Sequence, residues 1–179
     1  MMKKFVCAVL ALVMVLSLAA CGKKDSGGDV DLTAQQVADA LKEKLGDSYG
    51  CDAQNDADYM ANYYGLDMDQ IQEWVSECAS ISAIDPSTAV ILKVKDGYAD
   101  TAAGLLRERY QQLLDYSKLY NMNVPQVEQA RLFVNGSYVA LLVLGQASDD
   151  DSDMAETEAA KVDVAWKDIF GSAVNQLNA

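Results

Sequence analysis

Apolar residues fall along this chain in blocks of two kinds. Some repeat every three or four positions, others alternate or run on, and polar punctuation separates them. Over Thr33 to Leu45, Val37, Leu41 and Leu45 recur near helical spacing beside Ala34 and Ala38, with Leu32 leading in. Asp31 or Thr33 can cap this helix and Gly46 ends it. Positions 47–58 are polar and irregular, and 59–64 predicts a short helical turn stopped at Gly65. From Ile71 to Ala83 two periods compete. Ile71, Trp74, Val75 and Cys78 are spaced as on a helix, whereas 78–83 reads as extended, so a helix running into a strand is expected. Asp85-Pro86-Ser87 is a turn, because proline presets the backbone for one. Thr88 to Val94 is a strand. Val90, Leu92 and Val94 point one way and Ile91, Lys93 and Lys95 the other, so one face is expected on a core and one partly wet.

The longest helix spans Ala99 to Tyr120. Leu106, Tyr110, Leu113 and Tyr120 form its stripe, flanked by Leu105 and Leu114, with Arg107, Glu108 and Arg109 mostly on the wet side. Arg131 to Val134 and Tyr138 to Leu144 form a hairpin. Asn135-Gly136 between them suits a type I′ turn, which needs positive φ at both central positions. Positions 149–153 read as a solvated acidic loop, and 155–177 as a last helix with Val162, Ala165, Trp166, Ile169, Phe170 and Val174 on its apolar side. The order implies an α+β fold, a mostly antiparallel sheet of about four strands with helices packed on one face.

The first twenty residues follow a different pattern. Lys3 and Lys4 precede an apolar run from Phe5 to Ala20, interrupted by Ser17, and Leu18-Ala19-Ala20-Cys21 closes it. A positive start, an apolar segment and small residues at the cut are the marks of a secretory signal peptide. The run is about 16 residues, short of the roughly 20 that a spanning helix needs. The tetrapeptide resembles a lipobox, in which Cys21 receives diacylglycerol and becomes the first residue after cleavage. The alternatives are an ordinary cleaved signal or an uncleaved anchor. Lipidation adds about 0.8 kcal/mol per buried methylene, so diacylation, with palmitate as a usual chain, gives a firm hold. Gly22 to Asp31 is a Gly-, Ser- and charge-rich tether. The expected layout is a signal peptide over 1–20, lipidated Cys21 and tether over 21–31, and one domain over 32–179.

Composition narrows the chemistry. The chain has 27 acidic and 14 basic residues, a net charge of −13. Removing the leader with Lys3 and Lys4 leaves 12 basic residues and a net of −15. Such a surface argues against nucleic acid, whose phosphates need Lys and Arg. The chain has no His, which excludes Ser-His-Asp and Cys-His catalysis and His-based zinc sites. Cys7 lies in the leader. Cys51 and Cys78 could pair in an oxidising compartment, or remain two separate thiols. Cys51 sits in a polar loop and Cys78 in an apolar stretch, which disfavours pairing. The run Asp149-Asp150-Asp151-Ser152-Asp153 fails as a calcium loop, since Met154 and Ala160 stand where Gly and Glu are required. Asp52, Asp56 and Asp58 fail the same test. No metal, cofactor or catalytic residue is assigned.

Tyr59, Tyr63 and Tyr64 cluster, and could contact a ligand or pack the core edge with wet hydroxyls. Tyr110, Tyr116 and Tyr120 lie along the long helix. Arg107, Arg109 and Arg131 are the arginines. They read as ion-pair partners for Glu108 or Glu128, with an anion site as the alternative.

The strand Ala89-Val90-Ile91-Leu92-Lys93-Val94-Lys95-Asp96, the helix holding Arg107 and Arg109, a Tyr near its end (Tyr116 or Tyr120) and the closing Val134-Asn135-Gly136-Ser137-Tyr138-Val139 together form a recognisable series. From Thr88 to Leu144 the chain resembles the small Gram-positive lipoproteins that carry domain of unknown function 4358. The resemblance implies an anchored, extracytoplasmic protein and brings no activity with it. The expected function is therefore a non-catalytic binding or interaction domain held to the cell membrane by lipid, with an unknown protein or small ligand as partner. A carboxylate-dependent hydrolase is the alternative, and a substrate-binding lipoprotein of a transporter a further one. A cleft with two facing acids would favour the hydrolase.

Overall fold

A computed structural model describes residues 30–81, 84–146 and 151–178. The expected signal peptide over 1–20, Cys21, all of the expected tether but its last residues, and Asp149 and Asp150 lie outside the described residues. The fold is α+β, as the sequence predicts. Its elements are α1 (Ala34–Leu45), β1 (Ala53–Gln54), α2 (Ala57–Tyr64), β2 (Ile71–Cys78), β3 (Thr88–Val94), α3 (Ala99–Tyr120), α4 (Val124–Glu128), β4 (Arg131–Asn135), β5 (Tyr138–Val143) and α5 (Ser152–Phe170), with short 3₁₀ turns between some of them. Among the described residues the strands form a single sheet in the order β1-β2-β3-β5-β4. Every neighbouring pair is antiparallel.

Local chemistry sets the ends of these elements. Thr33 and Gln36 make a reciprocal capping box at α1, each side chain accepting from the other's backbone N–H. Asp151 accepts from the Met154 N–H and starts α5 at Ser152, so the acidic run ends in a helix cap rather than continuing as a loop. The helix stops at Gly171, earlier than the apolar pattern predicts, because Gly171 takes the left-handed conformation and returns its N–H to Lys167. α3 has the bounds the sequence predicts and ends on Asn121, also left-handed.

Helices cover both faces of the sheet, which corrects the expectation of a single covered face. α1 and α5 pack on one side, with Val37, Leu41, Trp166 and Phe170 against Ile91, Phe133 and Ala140. α2 and α3 pack on the other, with Met60, Ala102 and Leu106 against Val90, Leu92, Leu132 and Leu141. Val90, Ile91 and Leu92 are each 0% exposed, so β3 has no wet face over these residues. A continuous apolar run such as Ala89-Val90-Ile91-Leu92 is the signature of a strand buried on both sides.

Three further expectations change. Ile71–Cys78 is a strand throughout, preceded by a 3₁₀ turn at Met68–Gln70. The sheet gains the two-residue β1, paired to the end of β2, and so has five strands. In the hairpin Asn135 pairs with Tyr138, which leaves Gly136 and Ser137 as the turn. Of the two only Gly136 has positive φ, +59°, matching a turn with Gly at the first central position rather than type I′.

The chain enters the domain at the sheet. The Tyr138 hydroxyl accepts from the Leu32 N–H at 3.0 Å and lies 2.8 Å from the Val30 carbonyl. Lys93 Nζ donates to Asp31 at 3.1 Å and to the Leu32 carbonyl. Glu73 accepts from the Ala34 N–H at 2.9 Å. Residues on β2, β3 and β5 thus hold residues 30–34 in place.

Candidate functional site

On the face covered by α2 and α3 the two helices leave part of the sheet open, and a cleft of about 530 Å³ lies between them. α2 supplies Tyr59, Tyr63 and Tyr64. α3 supplies Arg109, Tyr110, Gln112, Leu113 and Tyr116, residues that helical periodicity brings to one side. Thr88, Leu141 and Val143 form the floor. Asn55, Cys78, Asp85 and Pro86 close one end. A second hollow, about 470 Å³ between α1 and α5, is more open to solvent. Its charges are already matched, since Lys44 pairs with Asp168 at 2.8 Å.

The three tyrosines of α2 form one aromatic group. Tyr59 and Tyr63, one helical turn apart, stack with ring centroids at 4.3 Å, and Tyr64 meets both edge-on. Tyr64 is buried, and burial pushes its hydroxyl pKa up. Tyr59 shifts the same way for the same reason. In the sequence these three tyrosines cluster apart from Tyr110 and Tyr116. The structure brings the two sets together across the cleft.

Arg109 joins them. Its guanidinium carbon lies 3.4 Å from the centroid of the Tyr63 ring, and Nη1 donates to Gln112 Oε1 at 2.6 Å. Burial holds its pKa below the usual arginine value, opposed by the nearby Tyr59 hydroxyl. Among the described residues no carboxylate pairs with it. The other arginines are committed elsewhere. Arg131 makes a two-pronged contact with Asp163 at 2.8 and 3.1 Å, and Arg107 donates to the Gln176 carbonyl. Glu128, expected to pair with an arginine, pairs with Lys118 at 2.9 Å. Arg109, placed by periodicity on the wet side of α3, is half-buried in the cleft instead. Helical spacing alone could not reveal this, because the tyrosines that cover it come from α2.

Cys51 and Cys78 are free thiols. Cys51 packs against the core under α1 and α5. Burial, aided by the Glu77 charge, pushes its thiol pKa well up. Cys78 lies on the opposite face and lines the cleft, with its thiol 3.8 Å from Asn55 Oδ1. Glu77, the residue before it, points back to the α1 side. There it accepts from Lys42 at 2.6 Å and from the Tyr49 hydroxyl at 2.8 Å. Strand alternation therefore sends Cys78 away from Cys51.

Chemically the cleft is a set of aromatic faces around one half-buried fork of guanidinium donors. Asp85 is the one carboxylate among its described lining residues, so no pair of acids faces across it. The cleft also lies at the opposite end of the sheet from the point where the chain enters. β3 and β5 pair Thr88 with Val143 at the cleft and Lys93 with Tyr138 at the entry point. Five residue steps of about 3.4 Å put the two ends roughly 17 Å apart.

No curated protein and no solved structure matches the chain. Residues 44–144, more than half of its length, match the family described as a domain of unknown function, DUF4358. The matched span contains every residue lining the cleft and leaves out most of α1 and all of α5. The chain belongs to the DUF4358 family.

Proposed function

We propose that this is a lipid-anchored protein of the extracytoplasmic face of a Gram-positive cell membrane, and that its DUF4358 domain is a non-catalytic binding module with the tyrosine-walled cleft as its site. The anchor rests on Lys3, Lys4, the apolar run to Ala20 and the Leu18-Ala19-Ala20-Cys21 box. The observation that carries the binding reading is Arg109, stacked on Tyr63, half-buried and without a carboxylate partner among the described residues. Desolvating a guanidinium without an ion pair costs free energy. An arrangement that tolerates this cost is suited to a ligand that relieves it. A single lining carboxylate favours binding over hydrolysis by paired acids.

Expression in a Gram-positive host with radiolabelled palmitate tests the anchor. The wild-type protein should take up label and sediment with membranes, and Cys21→Ser should do neither. Label retained by Cys21→Ser would overturn the anchor. Incubating the same preparation with cell-wall glycan and with peptides should leave both intact. Turnover lost in Asp85→Asn would overturn the non-catalytic reading.

A further inference from the structure

Resting on the reading of the cleft as a binding site, we propose that it takes a small zwitterion, an amino acid or short peptide with a free carboxylate and a free ammonium group. The described lining residues carry one charge of each sign, Arg109 and Asp85, and no lysine. A guanidinium has five N–H donors, and Arg109 commits only Nη1, to Gln112. Its stack on Tyr63 fixes the fork in advance, so less entropy is lost when a ligand binds. Two parallel N–H donors match the two oxygens of a carboxylate. Phosphate fits less well, since one cation meets a dianion inside a protein whose net charge without the leader is −15. Such a field disfavours anionic ligands and leaves a zwitterion unaffected.

Asp85 supplies the opposite charge, at the end of the cleft where it also borders a neighbouring hollow lined by Asp47, Gly50 and Gln126. Its Oδ1 accepts from the Ser87 N–H at 2.8 Å. The faces of Tyr59, Tyr110 and Tyr116 suit an apolar side chain or the ammonium group itself. At about 530 Å³ the cleft lies within the range of roughly 300–1,000 Å³ usual for small-molecule sites.

Calorimetric titration of the full-length lipidated protein in detergent tests this directly. The probes are the tripeptide Ala-Phe-Ala, its C-terminal amide, its N-acetyl form, free phenylalanine and inorganic phosphate. The free tripeptide should bind, and amidation should weaken it roughly tenfold or more, the loss of a charge-assisted pair. Acetylation should weaken it by a smaller factor. Arg109→Gln, with an unchanged melting temperature, should bring the free tripeptide down to the level of the amide and weaken the amide no further. Phenylalanine binding as tightly as the tripeptide would identify an amino acid as the ligand, and weaker binding a peptide.

Equal affinity for the tripeptide and its amide overturns the proposal. So does phosphate competing with the tripeptide at equal concentration, or no binding by either the tripeptide or phenylalanine. The cleft reading is judged separately, by titration with the neutral sugar N,N′-diacetylchitobiose. Binding of the sugar that is lost in Tyr63→Ala would keep the cleft as a binding site while removing the zwitterion.

Discussion

Asn135 shows how a residue can be important for a reason its sequence context does not suggest. Beside Gly136 it looks like half of a turn. In the fold it is the last residue of β4, and its side chain ties the strand to α5. Oδ1 accepts from the Trp166 indole N–H at 2.7 Å and Nδ2 donates to the Ser172 hydroxyl at 2.8 Å. Trp166 is 0% exposed and stacks on Phe133, with centroids 4.9 Å apart. Asn135→Val should not strain the backbone, since a β-branched residue suits a strand. It should instead leave a buried indole N–H unpaired, at about 1–3 kcal/mol. Asn135→Asp keeps an acceptor and should lose less. Urea unfolding of the two variants checks the order, and equal losses would remove the indole bond as the cause. Arg109 presents the same difficulty at the site. Its residue type was legible, but its stack on Tyr63 depends on the approach of two helices some forty positions apart in sequence.

Among the elements, legibility followed burial pattern. β3 and α3 have the bounds their periodicity predicts, because each repeats one pattern without interruption. β2 does not. A register shift between Ile71 and Glu73 breaks its alternation, and both of its faces are partly covered, so apolar residues at 71, 74, 75 and 78 imitate a helix. The single covered face was misjudged for a related reason. Nothing local in α1 or α5 says which side of the sheet they take. The junction of β5 and α5 is held by a close approach at Gly145, where φ is +108° and an added Cβ would meet the Glu158 Cβ at 2.6 Å. That neighbour is the base of a helix residue and cannot swing aside. Gly145→Ala should therefore cost about 3 kcal/mol, strain and overpacking together, read as a lowered denaturation midpoint. A wild-type midpoint would mean that α5 moves away freely.

At the scale of the molecule, one end of the sheet holds residues 30–34 and the other opens on the cleft. The way residues 30–34 join the sheet was not legible in the sequence, because Tyr138 lies more than a hundred positions along the chain. Tyr138→Phe removes the hydroxyl that receives the Leu32 N–H. The loss in global stability should be about 1 kcal/mol. Hydrogen exchange at Leu32 should quicken while the centre of β5 stays protected. Unchanged exchange at Leu32 would mean that Lys93 and Glu73 hold the segment without help. The arrangement also determines how the domain meets mechanical load. Tension arriving through residue 30 falls on side chains of β2, β3 and β5 together, and the covered interior of the sheet shares it. No outer strand has to be peeled away first. A domain pulled through residue 30 would give at these side-chain contacts before the strands beneath the cleft came apart.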